Sequence, residues 1–233
     1  MFIHTNQPQY EELDVVTRSD GVRTYTTPDG KRYPSVTTML DHAPKTWLEE
    51  WRKRLGYEKA AIETQRCADR GEAVHLMAER YLKNDPDPTR DQEDLPGHLS
   101  CFNQLKFLLN KIGNIRAQEI PLFSHTLELA GRVDCVAEYE GELTIIDFKT
   151  SNNNKNHEMV YDYFLQSTAY AIMWREMFQV PINTIVVLIA VQNGIMPLKF
   201  KRSIDEFIDP LVDRINTYYS EVKVLNELSQ GTA

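Results

Sequence analysis

The sequence predicts an α/β protein whose single mixed sheet is flanked by helices. Three observations lead to this fold class. Helical spacing of apolar residues dominates residues 1–117, strand-like alternation begins at residue 118, and an amphipathic helix at 158–178 separates two groups of strands. The second half, with the helix before it, therefore has the order α-β-β-β-α-β and ends in one more strand and helix. We expect a helical region, 1–117, packed on a core, 118–233, in one continuous domain.

The first region begins with a small hairpin over residues 22–34, because Pro28-Asp29-Gly30 is a strong turn sequence. Apolar residues at i, i+4 spacing then predict four helices, at 35–42, 46–66, 67–83 and 97–113. In the second of these, Trp47, Trp51 and Leu55 follow that spacing, and we expect both tryptophans to lie in the core. The segment 84–96 is rich in Asp and Pro, which is typical of a mobile loop.

The second region contains the strands. Their predicted ranges are 118–124, 127–139, 142–150, 183–192 and 195–203. Asn193-Gly194 is a hairpin turn sequence between the last two strands, and a helix at 204–228 closes the chain.

A second turn, Glu140-Gly141, sets the register of the central hairpin. With these two residues as the turn, Asp134 faces Asp147 and Arg132 faces Lys149. Side chains alternate along a strand, so all four are expected on one face. The other face is apolar or small and suits a core, with Val133, Cys135, Ala137, Ile146 and Phe148.

Two directly opposed carboxylates lie roughly 4.5–5.5 Å apart and repel each other. A divalent cation with oxygen ligands is the natural reason to keep Asp134 and Asp147 together. The alternative is a surface hairpin with two unrelated acids. Three roles stay open for Lys149: it orients or deprotonates an attacking water, it neutralises a phosphate, or it forms a salt bridge to either aspartate.

These residues resemble the signature of the PD-(D/E)XK nuclease superfamily, whose restriction-endonuclease-like core has the αβββαβ order. The GxxD element spans Gly131 to Asp134, and the DxK element spans Asp147 to Lys149. Three further segments resemble the RecB-like branch of that superfamily: a QxxxY motif, a helical histidine motif and a glutamate-bearing strand. They are Gln166 to Tyr170, Arg70 to His75, and Glu119-Ile-Pro-Leu. Tyr33 to Thr37 and the helix with Trp47 and Trp51 are similar to the mitochondrial genome maintenance exonucleases and related phage exonucleases.

The resemblance implies a metal site and a nucleic-acid site. Asp134, Asp147, the backbone carbonyl of Phe148 and the ring of His75 would bind the metal, and Glu119 would act in catalysis or at a second metal. Residues implied in positioning nucleic acid are Gln166, Tyr170, Thr150, Ser151 and Arg132. Taken singly, His75, Glu119, Gln166 and Tyr170 are also compatible with ordinary surface or core positions.

One or two Mg²⁺ or Mn²⁺ ions are the expected cofactor, because they generate a nucleophilic water and stabilise charge on a phosphate. No cysteine follows Cys135, so we expect no iron–sulfur cluster. The predicted function is a metal-dependent DNA exonuclease acting on single strands or DNA ends. Two alternatives stay open: a structure- or sequence-specific endonuclease on the same core, and a non-catalytic DNA-binding subunit.

Composition sets wider limits. The net charge of −8 argues against a protein that coats DNA, although a nuclease needs positive charge only near its substrate. The three cysteines form no CxxC pair, and the sequence shows neither a signal peptide nor an apolar membrane span. We therefore expect no membrane partner and a cytoplasmic location in a bacterial or phage-infected cell, with DNA and possible replication, repair or recombination proteins as partners.

Overall fold

The chain begins with a small antiparallel sheet. The computed structural model describes residues 1–92 and 95–230, with side chains as far as residue 224. The first sheet contains β1 (Asp14–Thr17), β2 (Arg23–Thr26) and β3 (Arg32–Pro34). The hairpin of β2 and β3 is confirmed. Strand β1 was not predicted, because its four residues are all exposed and lack any alternation of burial.

Four helices follow: α1 (Val36–Asp41), α2 (Thr46–Leu55), α3 (Tyr57–Leu82) and α4 (Pro96–Leu109). The predicted boundary at 66/67 is wrong. The break falls at Gly56, whose φ of +88° takes the chain out of the helical conformation. The predicted loop 84–96 includes residues 93 and 94, which lie outside the described residues.

The tryptophan prediction is wrong for Trp47. Helix α2 buries none of its residues, and Trp47 is 63% exposed. Trp51 is half-buried. The i, i+4 spacing correctly indicated a helix but could not show that this helix lies on the surface.

The central sheet has five strands in the order β4-β5-β6-β7-β8. They are β4 (Ile112–Ser124), β5 (Leu129–Tyr139), β6 (Glu142–Ser151), β7 (Thr184–Val191) and β8 (Leu198–Ser203). Strands β6 and β7 are parallel and the other pairs are antiparallel. Helix α5 (Tyr161–Phe178) connects the parallel pair, and α6 (Ile208–Gln230) follows β8. The predicted α/β fold class with one mixed sheet is confirmed.

Both faces of the sheet are buried. Helices α3 and α4 cover one face, where Ile146 and Phe148 pack. Helices α1, α5 and α6 cover the other, where Val136 and Ile145 pack. The N-terminal helices therefore contribute to the same two cores as the strands. Strand β4 begins at Ile112 and runs across the predicted boundary at 117/118, so the division into two regions stays a prediction.

The described helices do not include one with both the length and the apolar character that a membrane span requires.

Candidate active site

Three acidic residues lie side by side on three neighbouring strands. The β5–β6 ladder has the predicted register as far as the pair Cys135 and Ile146. Asp134 and Asp147 come next on the two strands. On the other side of β5, Gln118 pairs with Cys135 and Ile120 with Val133, so Glu119 lies level with Asp134. The sheet thus brings Glu119, Asp134 and Asp147 into one row.

The alternation of side chains is interrupted in both strands at these acids. Val133 and Val136 pack in the same core although they are three residues apart, and Ala117 and Ile120 do the same on β4. The prediction that Val133 shares a face with Cys135 and Ala137 is therefore wrong. The prediction that Arg132 and Asp134 share a face assumed strict alternation of side chains. This assumption fails at the same point, because the alternation along β5 shifts by one residue between Val133 and Cys135.

The regular β5–β6 pairing stops just before Asp134, whose side chain then bonds to the backbone of β6. Its Oδ2 accepts a hydrogen bond from the backbone N–H of Phe148 at 2.7 Å. The same oxygen lies 3.7 Å from Nδ1 of His75 on α3. His75, Glu119 and Asp134 each offer one possible metal-ligand atom, and these three atoms lie within 4.8 Å of one another. A helix and two strands therefore converge on one small site.

Asp147 lies next to this group but outside it. It is 2% exposed, and its Oδ1 accepts a hydrogen bond from Nζ of Lys149 at 2.5 Å. Its Oδ2 is buried and has no hydrogen-bond partner among the described residues. Burial and the charge of Asp134 raise the pKa of Asp147 to about 6, although Lys149 opposes them. Burial alone would lower the pKa of Lys149, but Asp147 and Asp134 outweigh it and raise that pKa.

Glu119 has the most strongly shifted carboxyl group of the site. Burial, followed by the charges of Asp134 and Glu79, raises its pKa to about 8. Glu79 lies on α3 four residues after His75, on the same helix face, and was not singled out in the sequence. Its i, i+4 spacing from His75 was the signal that could have indicated it.

The donor set fits a hard divalent cation. Carboxylate oxygens and an imidazole suit Mg²⁺ or Mn²⁺. Within the described part of the chain, Oδ2 of Asp147 is a buried acceptor without a donor, which is costly unless a cation or a proton satisfies it. The raised pKa values of Asp147 and Glu119 have the same origin, because buried like charges are unfavourable until positive charge compensates them.

The Gln166 and Tyr170 pair lies behind the carboxylates. Both side chains are buried, and Nε2 of Gln166 donates to Oη of Tyr170 at 3.5 Å. Burial raises the pKa of Tyr170, and the charges of Asp134 and Asp147 add to it. A direct contact of this pair with nucleic acid stays a prediction.

Tyr163 is a site residue that the sequence reasoning missed. Nζ of Lys149 lies 5.1 Å from the centre of its ring, which is cation–π distance. Tyr163 precedes Gln166 by three residues and Tyr170 by seven, so the three share one face of α5. Extending the QxxxY motif backwards by one helical turn would have found it.

The remaining predicted residues lie near the site, and three of them make side-chain contacts within the protein. The Oγ of Ser151 donates to the carbonyl of Asn153 at 2.7 Å. The guanidinium of Arg132 donates to the carbonyl of Glu119 and to Glu12. The ring of Phe148 packs edge-on against His75, with centroids 6.1 Å apart. Thr150 is half-buried. Their contacts with phosphate, and the carbonyl of Phe148 as a metal ligand, stay predictions.

Helix α3 is held in place by a buried arginine. Nη1 of Arg70 donates to Oδ1 of Asn152 at 2.7 Å and also to Oε1 of Gln192. Asn152 follows β6 and Gln192 follows β7, so one side chain joins α3 to the ends of both central strands. His75 lies just over one turn further along the same helix. Arg70 therefore contributes, with Arg66 and the core packing of α3, to the position of the imidazole.

The comparisons agree with this geometry. A family model of the PD-(D/E)XK nuclease superfamily matches residues 98–222, which is more than half of the chain. The chain therefore belongs to the PD-(D/E)XK nuclease superfamily. The predicted resemblance is confirmed, and the matched range includes Glu119, Asp134, Asp147 and Lys149.

Within the superfamily, the chain is similar to mitochondrial genome maintenance exonuclease 1. It is 32% identical to the Mus musculus protein over 148 residues, covering 59% of this chain and 43% of that protein. It is 30% identical to the Xenopus tropicalis protein over 173 residues, covering 69% and 49%. For the Homo sapiens protein the identity is 31% over 147 residues, covering 59% and 42%. The chain thus spans less than half the length of these curated relatives.

Proposed function

We propose that this chain is a divalent-metal-dependent deoxyribonuclease that degrades DNA from free ends, with single strands as its substrate. The observation that carries the proposal is the buried, unpartnered Oδ2 of Asp147 beside the group formed by His75, Glu119 and Asp134. A structural role alone does not explain why a fold would keep three carboxylates in a row, one of them buried and two half-buried.

The site residues have two proposed roles, metal binding and neutralisation of charge. Asp134, Asp147, Glu119 and His75 would hold Mg²⁺ or Mn²⁺. A bound divalent ion lowers the pKa of a water and neutralises charge that develops on the phosphate. The charges of Asp147 and Asp134 raise the pKa of Lys149, which favours its protonated form. It is therefore placed to donate a hydrogen bond to a phosphate oxygen or to an attacking hydroxide, which supports the charge-neutralising role over that of a base.

Two observations support action on single-stranded ends. The curated relatives carry the name exonuclease. In addition, α2 and the start of α3 expose large apolar side chains, with Trp47 at 63% and Tyr57 at 59%. Unpaired bases stack on such rings, whereas bases inside a duplex are not accessible to them. Tyr57 begins α3, the helix that also carries His75, and Trp47 lies on the adjoining helix α2.

A time course with end-labelled linear and circular single-stranded DNA tests the proposal. Mg²⁺, Mn²⁺ and EDTA are compared, and Asp147→Asn is run beside Asp14→Asn, an exposed aspartate of β1. We expect metal-dependent loss of the linear strand, intact circles, an inactive Asp147→Asn variant and an active Asp14→Asn variant.

The other outcomes identify the alternatives. Efficient cutting of circles would show an endonuclease. Binding of Mn²⁺ without cleavage of any substrate would show a non-catalytic subunit. Replication or recombination proteins as partners, and the cytoplasmic location, stay predictions that this assay does not address.

A further inference from the structure

Arg132 is hydrogen-bonded to the backbone of Glu119, whose carboxyl pKa is the most strongly shifted of the site. Its Nη1 donates to the carbonyl oxygen of Glu119, and its Nη2 donates to Oε2 of Glu12 at 2.5 Å. The side chain thus bridges the N-terminal segment and β4. The guanidinium makes these contacts from β5, two residues before Asp134.

Glu119 has a backbone conformation that needs such support. Its φ is +51°, in the left-handed region that glutamate rarely adopts inside a strand. Non-glycine residues held there are strained and persist only when their surroundings fix them. The conformation also takes the carbonyl of Glu119 out of regular pairing, since the paired positions are its neighbours Gln118 and Ile120. A carbonyl removed from its ladder needs another donor, and Arg132 supplies it.

The same conformation directs the side chain of Glu119. Ala117 and Ile120 are three residues apart but both pack under α5. The alternation of side chains between the two faces of β4 is therefore interrupted at Glu119. Through this shift, the carboxylate of Glu119 reaches the group that contains His75 and Asp134. Any interaction that fixes the left-handed backbone of Glu119 therefore also fixes one corner of the candidate metal site.

We propose that Arg132 is a positioning residue that holds Glu119 in this conformation, and that Glu12 holds Arg132 from the N-terminal segment. The proposal rests on the proposed function in one respect, namely that Glu119 belongs to a metal site. It assigns residues 1–35 a part in catalysis, because the segment with Glu12 acts on the site through Arg132. It also gives Arg132 a role other than the predicted contact with DNA.

Metal affinity without DNA tests the proposal. The dissociation constant of Mn²⁺ is measured by calorimetry for the wild type and for Arg132→Met, Arg132→Lys, Glu12→Leu and Glu12→Gln. Arg18→Met is the control, because Arg18 is an exposed arginine of the same N-terminal segment whose partner is Asp20. Loss of a group that orients a metal ligand typically weakens metal binding about 10- to 100-fold.

We expect Arg132→Met to weaken Mn²⁺ binding by at least about tenfold. Glu12→Leu should cause a smaller loss in the same direction, while Arg132→Lys and Glu12→Gln should recover part of each loss. In turnover assays, kcat should fall and KM for DNA should change little. Unchanged Mn²⁺ affinity in Arg132→Met, with a raised KM for DNA, would overturn the proposal and show a direct DNA contact.

Two further results keep the proposal separate from the proposed function. If the wild type binds Mn²⁺ tightly but cleaves no DNA, the nuclease proposal fails, while a loss of Mn²⁺ affinity in Arg132→Met still supports the positioning role. If the wild type binds no Mn²⁺, the positioning role fails as well. Glu12 is exposed, so Glu12→Leu gives a decisive measurement even if Arg132→Met does not fold; equal affinity in Glu12→Leu and wild type would then overturn the role of Glu12.

Discussion

The ring of Tyr170 occupies the space that a side chain at position 131 would need. A Cβ built on Gly131 would lie 2.8 Å from both Cε1 and Oη of Tyr170, closer than real Cβ contacts come. Gly131 therefore lets α5 approach β5 directly. Gly131, the first residue of the GxxD motif, therefore packs directly against Tyr170, the last residue of the QxxxY motif.

This contact predicts that Gly131→Ala is destabilising. The added methyl group would displace the Tyr170 ring or move β5, at a cost of about 1–3 kcal/mol. Asp134 lies three residues along the same strand, so Mn²⁺ affinity should fall as well. The free energy of unfolding from urea titration, with and without Mn²⁺, measures both effects.

Gly97→Ala is the matched control, because a Cβ there would meet only Nε2 of Gln192, at 3.9 Å. Gly97 lies in α4, where alanine is favoured over glycine by up to about 1 kcal/mol. We expect this control to be neutral or slightly stabilising. The double variant Gly131→Ala/Tyr170→Leu should recover part of the lost stability, and strictly additive losses would contradict the packing explanation.

We expect Tyr163 to support Lys149 through its aromatic ring and not through its hydroxyl group. Nζ of Lys149 lies 5.1 Å from the ring centre, and such a contact contributes roughly 1–2 kcal/mol when desolvated. Tyr163→Phe keeps the ring, so its turnover should stay within about threefold of wild type. Tyr163→Leu removes the ring and should lower kcat about tenfold with Mn²⁺ affinity unchanged. Equal loss in both variants would assign the effect to the hydroxyl group instead.

The pKa of Glu119 predicts how stability depends on pH without metal. The folded-state pKa of about 8 lies above the ordinary 4.5, so the folded protein prefers the protonated acid. The unfolded chain ionises at lower pH, and stability is therefore lost as pH rises from about 4.5 to about 8. Glu119→Gln removes this loss, so its advantage over wild type should grow from pH 5 to pH 8, to on the order of 2–4 kcal/mol.

Thermal melts in EDTA at several pH values test this. Glu11→Gln is the control, because Glu11 is an exposed glutamate outside the site. Adding Mn²⁺ should stabilise the wild type at pH 8, since positive charge favours the ionised acid. A difference between Glu119→Gln and wild type that is the same at pH 5 and pH 8 would show that Glu119 does not titrate in this range.

The hairpin that carries Asp134 and Asp147 could be predicted from sequence, because its two-residue turn, Glu140-Gly141, leaves one register. The left-handed conformation of Glu119 could not, because nothing local to a glutamate signals a positive φ. That conformation depends on Arg132, a contact between strands. The same limit explains Trp47: helical spacing indicates a helix, but burial depends on what packs against it.

The proximity of the predicted site residues has a related explanation. His75, Glu119, Asp134, Asp147 and Lys149 each matched a motif, and the structure brings all of them together. Tyr163 and Glu79 lay outside the motifs and were missed, although each is one helical turn from a motif residue. Motif matching found the charged groups but not the groups that surround them.

Arg70 should prove essential for placing His75. It is 2% exposed, and its hydrogen bonds to Asn152 and Gln192 attach α3 to the ends of β6 and β7. Arg70→Met keeps most of the apolar stem but removes the buried donor of both bonds, while the exposed Arg66 still donates to the two amide oxygens. Loss of a charged hydrogen-bond donor costs about 1.5–3 kcal/mol. Because His75 is on the same helix, Mn²⁺ affinity should fall together with stability. Arg54→Met, an exposed arginine of α2, serves as the control and should change stability by less than about 0.5 kcal/mol. If Arg70→Met were as stable as this control and bound Mn²⁺ equally well, the packing of α3 on α4 and the sheet, together with the bonds of Arg66, would be sufficient to hold the helix.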